Sequence, residues 1–363
     1  MIKLEVQTGL ITASAIYLSA LNQDLSVNDA PNFLYPGAGK VTTDIGMGSN
    51  SEIHGAVLQA DGKIVMTAYT STAGDYDIAV VRYHPDYSLD TTFDGDGVVT
   101  TAFGTTRDYG IDVAMQADGK LLVAGVSGEW PSYKYALARY NTDGSLDTSF
   151  SEDGKVAIDL GASVDYGNSI AVQADGKILV GGASWAGGQS NFGLLRFNPD
   201  GSLDTSFDGD GKVSTDFDLS SDSGTSTVVQ VDGKIIVAGD TDANGNLDFA
   251  LARYQADGSL DASFGVGGKV ITAIGTGNDS ARGMTLQSDG KILVSGYSNS
   301  GSNTDFAVIR YNTDGSLDLG FGNDGKVVID TGSTSDDGFS VAVGADGRIW
   351  LAGASNVANS AFC

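Results

Sequence analysis

Acid–base chemistry has few carriers in this sequence. Histidine occurs twice, at His54 and His84, and cysteine once, at Cys363. A disulfide framework and a cysteine-based metal site are therefore excluded, and a histidine-rich zinc centre is not expected. The candidates that remain are His54, Asp112 and Arg282, an imidazole for proton transfer beside a carboxylate and a guanidinium that could hold an anion. No G-x-S-x-G, Walker, H-E-x-x-H or C-x-x-C motif is present.

A second set of residues stands at a constant interval. Asp108, Asp165, Asp222, Asp279 and Asp336 recur every 57 residues, with Ser51 in the sixth slot. A ring of such carboxylates could hold a hard cation such as Ca²⁺ through oxygen ligands. Six copies around a ring would set them too far apart for one ion to meet all, and an Asx turn before each strand explains the same pattern. Three residues on come His54, Ile111, Asn168, Thr225, Arg282 and Phe339, no two alike. That position could select a ligand, and neutral drift at an exposed strand end would look the same. The third set is aromatic: Tyr76, Tyr109, Trp130, Tyr133 and Trp185 fall in or beside loops, where they could stack on a sugar, anchor a protein or pack against neighbours. Asp242 to Asp248 offers oxygen atoms at alternate positions like a calcium loop, but Arg253 stands where its bidentate Glu should be.

The elements that must position these residues are read from one stretch, Gln173-Ala174-Asp175-Gly176-Lys177-Ile178-Leu179-Val180-Gly181-Gly182. An Asp-Gly pair between apolar runs signals a tight β-hairpin. Its glycine recurs at Gly62, Gly119, Gly176, Gly233, Gly290 and Gly347, always 57 residues apart, which means a repeat architecture. Within one copy, Ser169 to Gln173 and Lys177 to Gly182 read as the first two strands, Phe192 to Asn198 as the third and Lys212 to Asp216 as the fourth. The connection Asn141–Phe150 recurs as Asn312–Phe321, with Leu and Phe spaced to tuck under neighbouring strands. Four antiparallel strands repeated six times predict an all-β fold, a six-bladed β-propeller.

The chain stops where a third strand would begin, and residues 16–27 match the third strand and turn at 135–146. Lys40 to Asp44 then reads as a fourth strand, so pairing of the two ends in one blade would close the ring. Residues 16–363 are thus one expected domain, and 1–15 a leading segment or signal remnant. The apolar run Leu10–Leu21 is too short to span a membrane and reads as an export signal or as a strand. A fragment of a longer repeat protein, such as a module of an adhesin, is the alternative.

The net charge is −26, and all but four of the 46 acids are Asp, the acid that turns prefer. That balance argues against nucleic acid and against insertion into a membrane.

The units VAVQADGKILVAG, FALARYNTDGSLD and GKVTTDFG resemble the bacterial delta-60 repeat β-propeller family over residues 16–363, with a layout similar to NHL-type propellers. The resemblance implies an exported or cell-surface protein, and a first strand that is innermost. In a meander the near-identical hairpins and NTDGSLD connections share one face, while the diverged loops share the other. The expectation is a monomeric, non-enzymatic scaffold that binds a protein or glycan through the diverged face. Hydrolysis or elimination at a channel mouth is the alternative.

Overall fold

The computed structural model of the chain describes residues 19–21 and 51–355, apart from 73–74, 105–106, 162–163, 187, 219, 300, 302 and 345. Among these residues the protein is all-β, without a helix, and its strands form five four-stranded sheets and one three-stranded sheet. The four-stranded sheets span 51–101, 107–158, 164–215, 222–272 and 279–329. The sixth sheet joins Asp336–Val343, Ile349–Ser355 and Ser19–Leu21. Two compact units result, one of residues 43–216 and one of 217–363 with residues 1–42.

The sheet at 164–215 illustrates the repeat. Val164–Val172 pairs antiparallel with Ile178–Ala186 through a turn at which Gly176 has φ 84°, a conformation that favours glycine. Ile178, Leu179 and Val180 are at most 1% exposed, so the second strand is covered on both faces, as its unbroken apolar run requires. Gln189–Phe197 and Lys212–Thr215 complete the sheet. Cores form between adjacent sheets within each unit. Leu122, Leu137 and Phe150 pack with Ile170, Ile178 and Leu195 in one, and Ile236 and Leu251 with Met284 and Ile309 in the other.

The N-terminal match holds in its register. Leu21 lies opposite Ile349, the place that Tyr140 takes opposite Leu121 in another copy. Ser19–Leu21 is thereby the third strand of the last sheet. The segment 1–15, the fourth strand expected at 40–44 and Cys363 lie outside the described residues.

Each first strand carries a β-bulge at the same point. Register slips between Ile53 and Gly55, Gly110 and Asp112, and Gly167 and Ser169. It slips again between Gly224 and Ser226, Ala281 and Gly283, and Gly338 and Ser340. The residues passed over are His54, Ile111, Asn168, Thr225, Arg282 and Phe339, the six that diverge in sequence. A bulged residue has no cross-strand neighbour to match, so its type is free to vary while its side chain is re-aimed. Opposite the bulge the second strand needs a small residue: a Cβ on Gly182 would stand 1.7 Å from the Tyr166 carbonyl oxygen. The first copy has Ala68 in that slot, so the slot can be widened. Gly182→Ala is expected to cost about 1–3 kcal/mol, read as a lower denaturant midpoint. An unchanged midpoint would mean that the bulge yields freely.

The hairpin face is held by a repeated latch. Arg82, Arg139, Arg196, Arg253 and Arg310 each donate from Nε to Oδ2 of the Asp eight residues on, at 2.7–2.8 Å. The lysine of the Asp-Gly-Lys turn reaches the same oxygen at 2.7–3.0 Å. Each guanidinium also lies 4.3–4.5 Å over the buried Phe of the connection. Arg82, Arg139 and Arg253 donate from Nη1 to the carbonyls of Thr142, Pro199 and Thr313, each in the following repeat. The near-identity of this face is thus structural.

Candidate functional site

Aromatics from strands and from the 129–133 loop of the 43–216 unit come together. Tyr76 stacks on Tyr109 at 5.3 Å, and Tyr69 meets both edge-on at 5.4 and 5.1 Å. The contact continues from Tyr109 to Tyr133 at 6.4 Å, and from Tyr133 to Trp130 at 6.2 Å and Tyr166 at 5.8 Å. At the other end His54 stacks on Tyr69 at 5.6 Å. Seven rings therefore form one continuous array. Trp130 is 63% exposed while the tyrosines are half-buried, an arrangement that presents both ring faces and polar edges. The Arg107 guanidinium sits 5.4 Å over Tyr76, and the Tyr69 hydroxyl donates to Glu52 at 2.9 Å. Burial raises the Tyr69, Tyr109 and Tyr166 pKa values, so all three phenols are neutral near pH 7. His54 is accessible to solvent yet closely flanked by protein, and that desolvation lowers its pKa against the opposing pull of Glu52.

The repeat explains how the array is assembled. Tyr76 and Tyr133 occupy one slot in successive copies, and Tyr109 and Tyr166 another. In the 217–363 unit the first slot holds Leu247 and Thr304, and the second Ser223, Ser280 and Asp337. The slot of Tyr69 becomes Asp240 and then Tyr297. There the contacts are mainly polar: the Ser280 hydroxyl donates to Asp240, and Arg282 faces Asp337 at 3.7 Å and Tyr297 at 5.4 Å.

The expected sites fare unevenly. Tyr109 and Trp130 join the array, and Trp185 stands 41% exposed at the end of a second strand in the same unit. Asn168 is a half-buried bulge residue. Asp112 does not stand free beside His54. Its carboxylate accepts the N–H of Ile170 at 2.9 Å and of Val113 at 2.8 Å, which ties two sheets together. Burial pushes its pKa up to about 6. Arg282 lies in the other unit, on the Asp337 contact. Around Asp242–Asp248, the Asn244 and Asn246 side-chain amides donate to Asp248, so the loop fills its own acceptors.

The Asp108, Asp165, Asp222, Asp279 and Asp336 set is fully buried rather than lining an open mouth. Each accepts the N–H of the residue five positions earlier, from Phe103, Leu160, Phe217, Ile274 and Thr331, at 2.6–3.2 Å. They clasp the loop that enters each first strand, the turn role that competed with a metal ring. Spacing could not distinguish the two, because it does not tell where a carboxylate points.

These acids give a distinctive pH profile. Burial raises Asp108, Asp112, Asp165 and Asp240, so on acidification they take up protons in the folded chain before the unfolded one. Their effect is to raise stability as pH falls from 7 toward about 4. In the latches burial also pulls upward, yet hydrogen bonds from hydroxyls and lysines and the arginine charge hold Asp90, Asp147, Asp204 and Asp261 well below the usual carboxylate range. Their contribution is complete above about pH 4 and is lost below it. The expected result is a denaturant midpoint that peaks near pH 4–5 and falls below pH 4, and a midpoint declining steadily from pH 7 would contradict it.

Comparison with known proteins agrees with the repeat. Five segments, 59–93, 116–150, 173–207, 230–264 and 287–321, match the family described as "Domain of unknown function (DUF5122) beta-propeller". No curated protein matches the chain. Among solved structures, a protein of unknown function from Dyadobacter fermentans superposes with a TM-score of 0.51 at 12% identity, covering 80% of this chain and 87% of that one. A polysaccharide lyase of the PL25 family, an ulvan lyase, gives 0.43 at 14% identity over 77% of this chain and 72% of its own. A Bacillus subtilis arabinanase gives 0.38 at 14% identity, over 66% and 91%. At these identities the likeness is one of fold. The period, the six sheets and the five matched segments make this chain a repeat β-propeller protein.

Proposed function

We propose that the chain is a non-enzymatic binding module that takes a neutral glycan across the aromatic array of its 43–216 unit. The observation that carries this reading is that the fold does not need the array. The same tyrosine slots in the 217–363 unit hold Leu, Thr, Ser and Asp, with Tyr297 the one ring among them, on the same sheet scaffold. Exposed aromatic faces flanked by Arg107 and Glu52 suit the apolar face and hydroxyl edge of a sugar ring. A net charge of −26 repels sulfated and uronate-rich chains, which narrows the ligand to uncharged sugars. An exported or surface-displayed protein is the setting that this reading calls for. The test is a glycan array followed by calorimetry on any hit. Binding that is confined to polyanionic glycans, or absent altogether, would end the proposal.

One observation favours a catalytic reading. His54 is exposed and its pKa is lowered, so it is a neutral base stacked on Tyr69. A bound glycan would then be cleaved on incubation, and His54→Ala would stop cleavage while keeping binding. An intact glycan leaves the binding module.

A further inference from the structure

The three acidic side chains at one corner of the 217–363 unit do something that the equivalent corners do not. Asp305 lies on the third strand Thr304–Tyr311, Asp330 just follows the fourth strand Lys326–Ile329, and Asp336 opens the next first strand. One carboxylate oxygen from each lies within 4.8 Å of the other two, and among the described residues this is the one acidic, histidine or cysteine group so arranged. Asp336 is fully buried and Asp305 is 9% exposed. Oδ1 of Asp305 is shielded from solvent and has no hydrogen-bond partner; the same holds for Oδ1 of Asp77 in the same slot of the first copy, where Ala102 takes the place of Asp330.

Such an oxygen is costly to leave unmade. The preceding copy shows what the fold does when it satisfies the position from within. There the equivalent carboxylate, Asp248, receives the Asn244 amide at 2.8 Å and the Asn246 amide at 3.4 Å. The other copies also avoid a third acid. One of the three slots is Ala102, Asn191 or Ala273 in three of them, and in the fourth Lys134 supplies a cation. The fifth copy alone places Asp in all three.

We propose that Asp305, Asp330 and Asp336 bind one Ca²⁺ ion, with the buried Asp305 oxygen as its inner ligand. Calcium takes oxygen ligands at about 2.3–2.6 Å in flexible geometry and bridges the spread of these atoms, whereas Mg²⁺ demands a tighter octahedron. The hydroxyls of Thr331 and Ser333, which now donate to Asp336 at 2.6–2.9 Å, would rotate to share it with the ion. This site rests on residues apart from the aromatic array and does not depend on its ligand.

The experiment is calcium titration of the whole chain after EGTA treatment, by calorimetry and thermal unfolding, with Mg²⁺ as comparison. One equivalent of Ca²⁺ is expected, with a melting temperature raised by about 3 °C or more at a hundred times the dissociation constant. Asp330→Asn, an exposed position that leaves the Asp336 clasp in place, should fold and lose that response at least tenfold. No calcium uptake by the wild-type chain, or an undiminished response in Asp330→Asn, would overturn the assignment. Should that variant fail to fold, the wild-type titration still decides: a melting temperature that Ca²⁺ leaves unmoved overturns the site.

Discussion

Arg139→Met is expected to destabilise the protein by about 3 kcal/mol, read as a lower guanidinium chloride midpoint with an unchanged slope. Arg139 is 7% exposed, and Asp147, its partner at 2.7 Å, is 5% exposed. Methionine keeps the apolar stem over Phe150 but leaves Lys120, at 2.7 Å, as the one cation on the carboxylate, beside the Ser149 N–H and hydroxyl at 3.1 and 2.6 Å. It also strips the Pro199 carbonyl of the donor that ties one repeat to the next. Loss of one partner from a buried pair costs more than the pair contributes, because a desolvated charge remains. The double variant Arg139→Met, Asp147→Asn should therefore recover part of the loss. A single-variant change below about 1 kcal/mol would put this latch on a par with an exposed surface pair.

Trp130→Ala is expected to weaken glycan binding about 30-fold while leaving the fold intact. Trp130 is 63% exposed and touches one ring of the array, Tyr133, so its removal takes little from the core. An exposed aromatic anchor of a binding surface is worth about 2 kcal/mol, and about 1.4 kcal/mol is a factor of ten. Leu319→Ala, at a residue 69% exposed in the other unit, is the matched control and should leave binding unchanged. Equal losses in both variants would remove the array from the account.

The period made the fold legible. Asp-Gly hairpins at a fixed spacing and uniform connections leave little freedom to a strand meander, and even the short match near Leu21 has its pairing in the structure. The bulge was not legible, because a one-residue slip in pairing changes neither the spacing nor the apolar pattern. Yet it accounts for the variety at His54, Asn168 and Arg282 better than a ligand does. The array was half legible. Tyr76, Tyr109, Trp130 and Tyr133 stood out as aromatics in or beside loops, although Tyr76 and Tyr109 lie near the ends of strands, and Tyr69 and Tyr166, also within strands, were not singled out. Aligning the copies slot by slot, rather than scanning loops, would have found them. In the carboxylate series spacing left a cation ring and a turn role both open, and in the structure each of the five clasps the loop before its own strand. Asp305 and Asp330 went unnoticed because each is ordinary alone, and only their coincidence in one copy is not.

The most direct measurement is the affinity of a neutral glycan for the double variant Tyr109→Ser, Tyr133→Ser, set beside that of the wild type. Both slots already hold serine in other copies, Ser223 and Ser190, so the scaffold accepts the change. The account predicts a folded variant whose glycan affinity falls by a hundredfold or more, on the order of two lost aromatic contacts. A folded variant that binds like the wild type would contradict it.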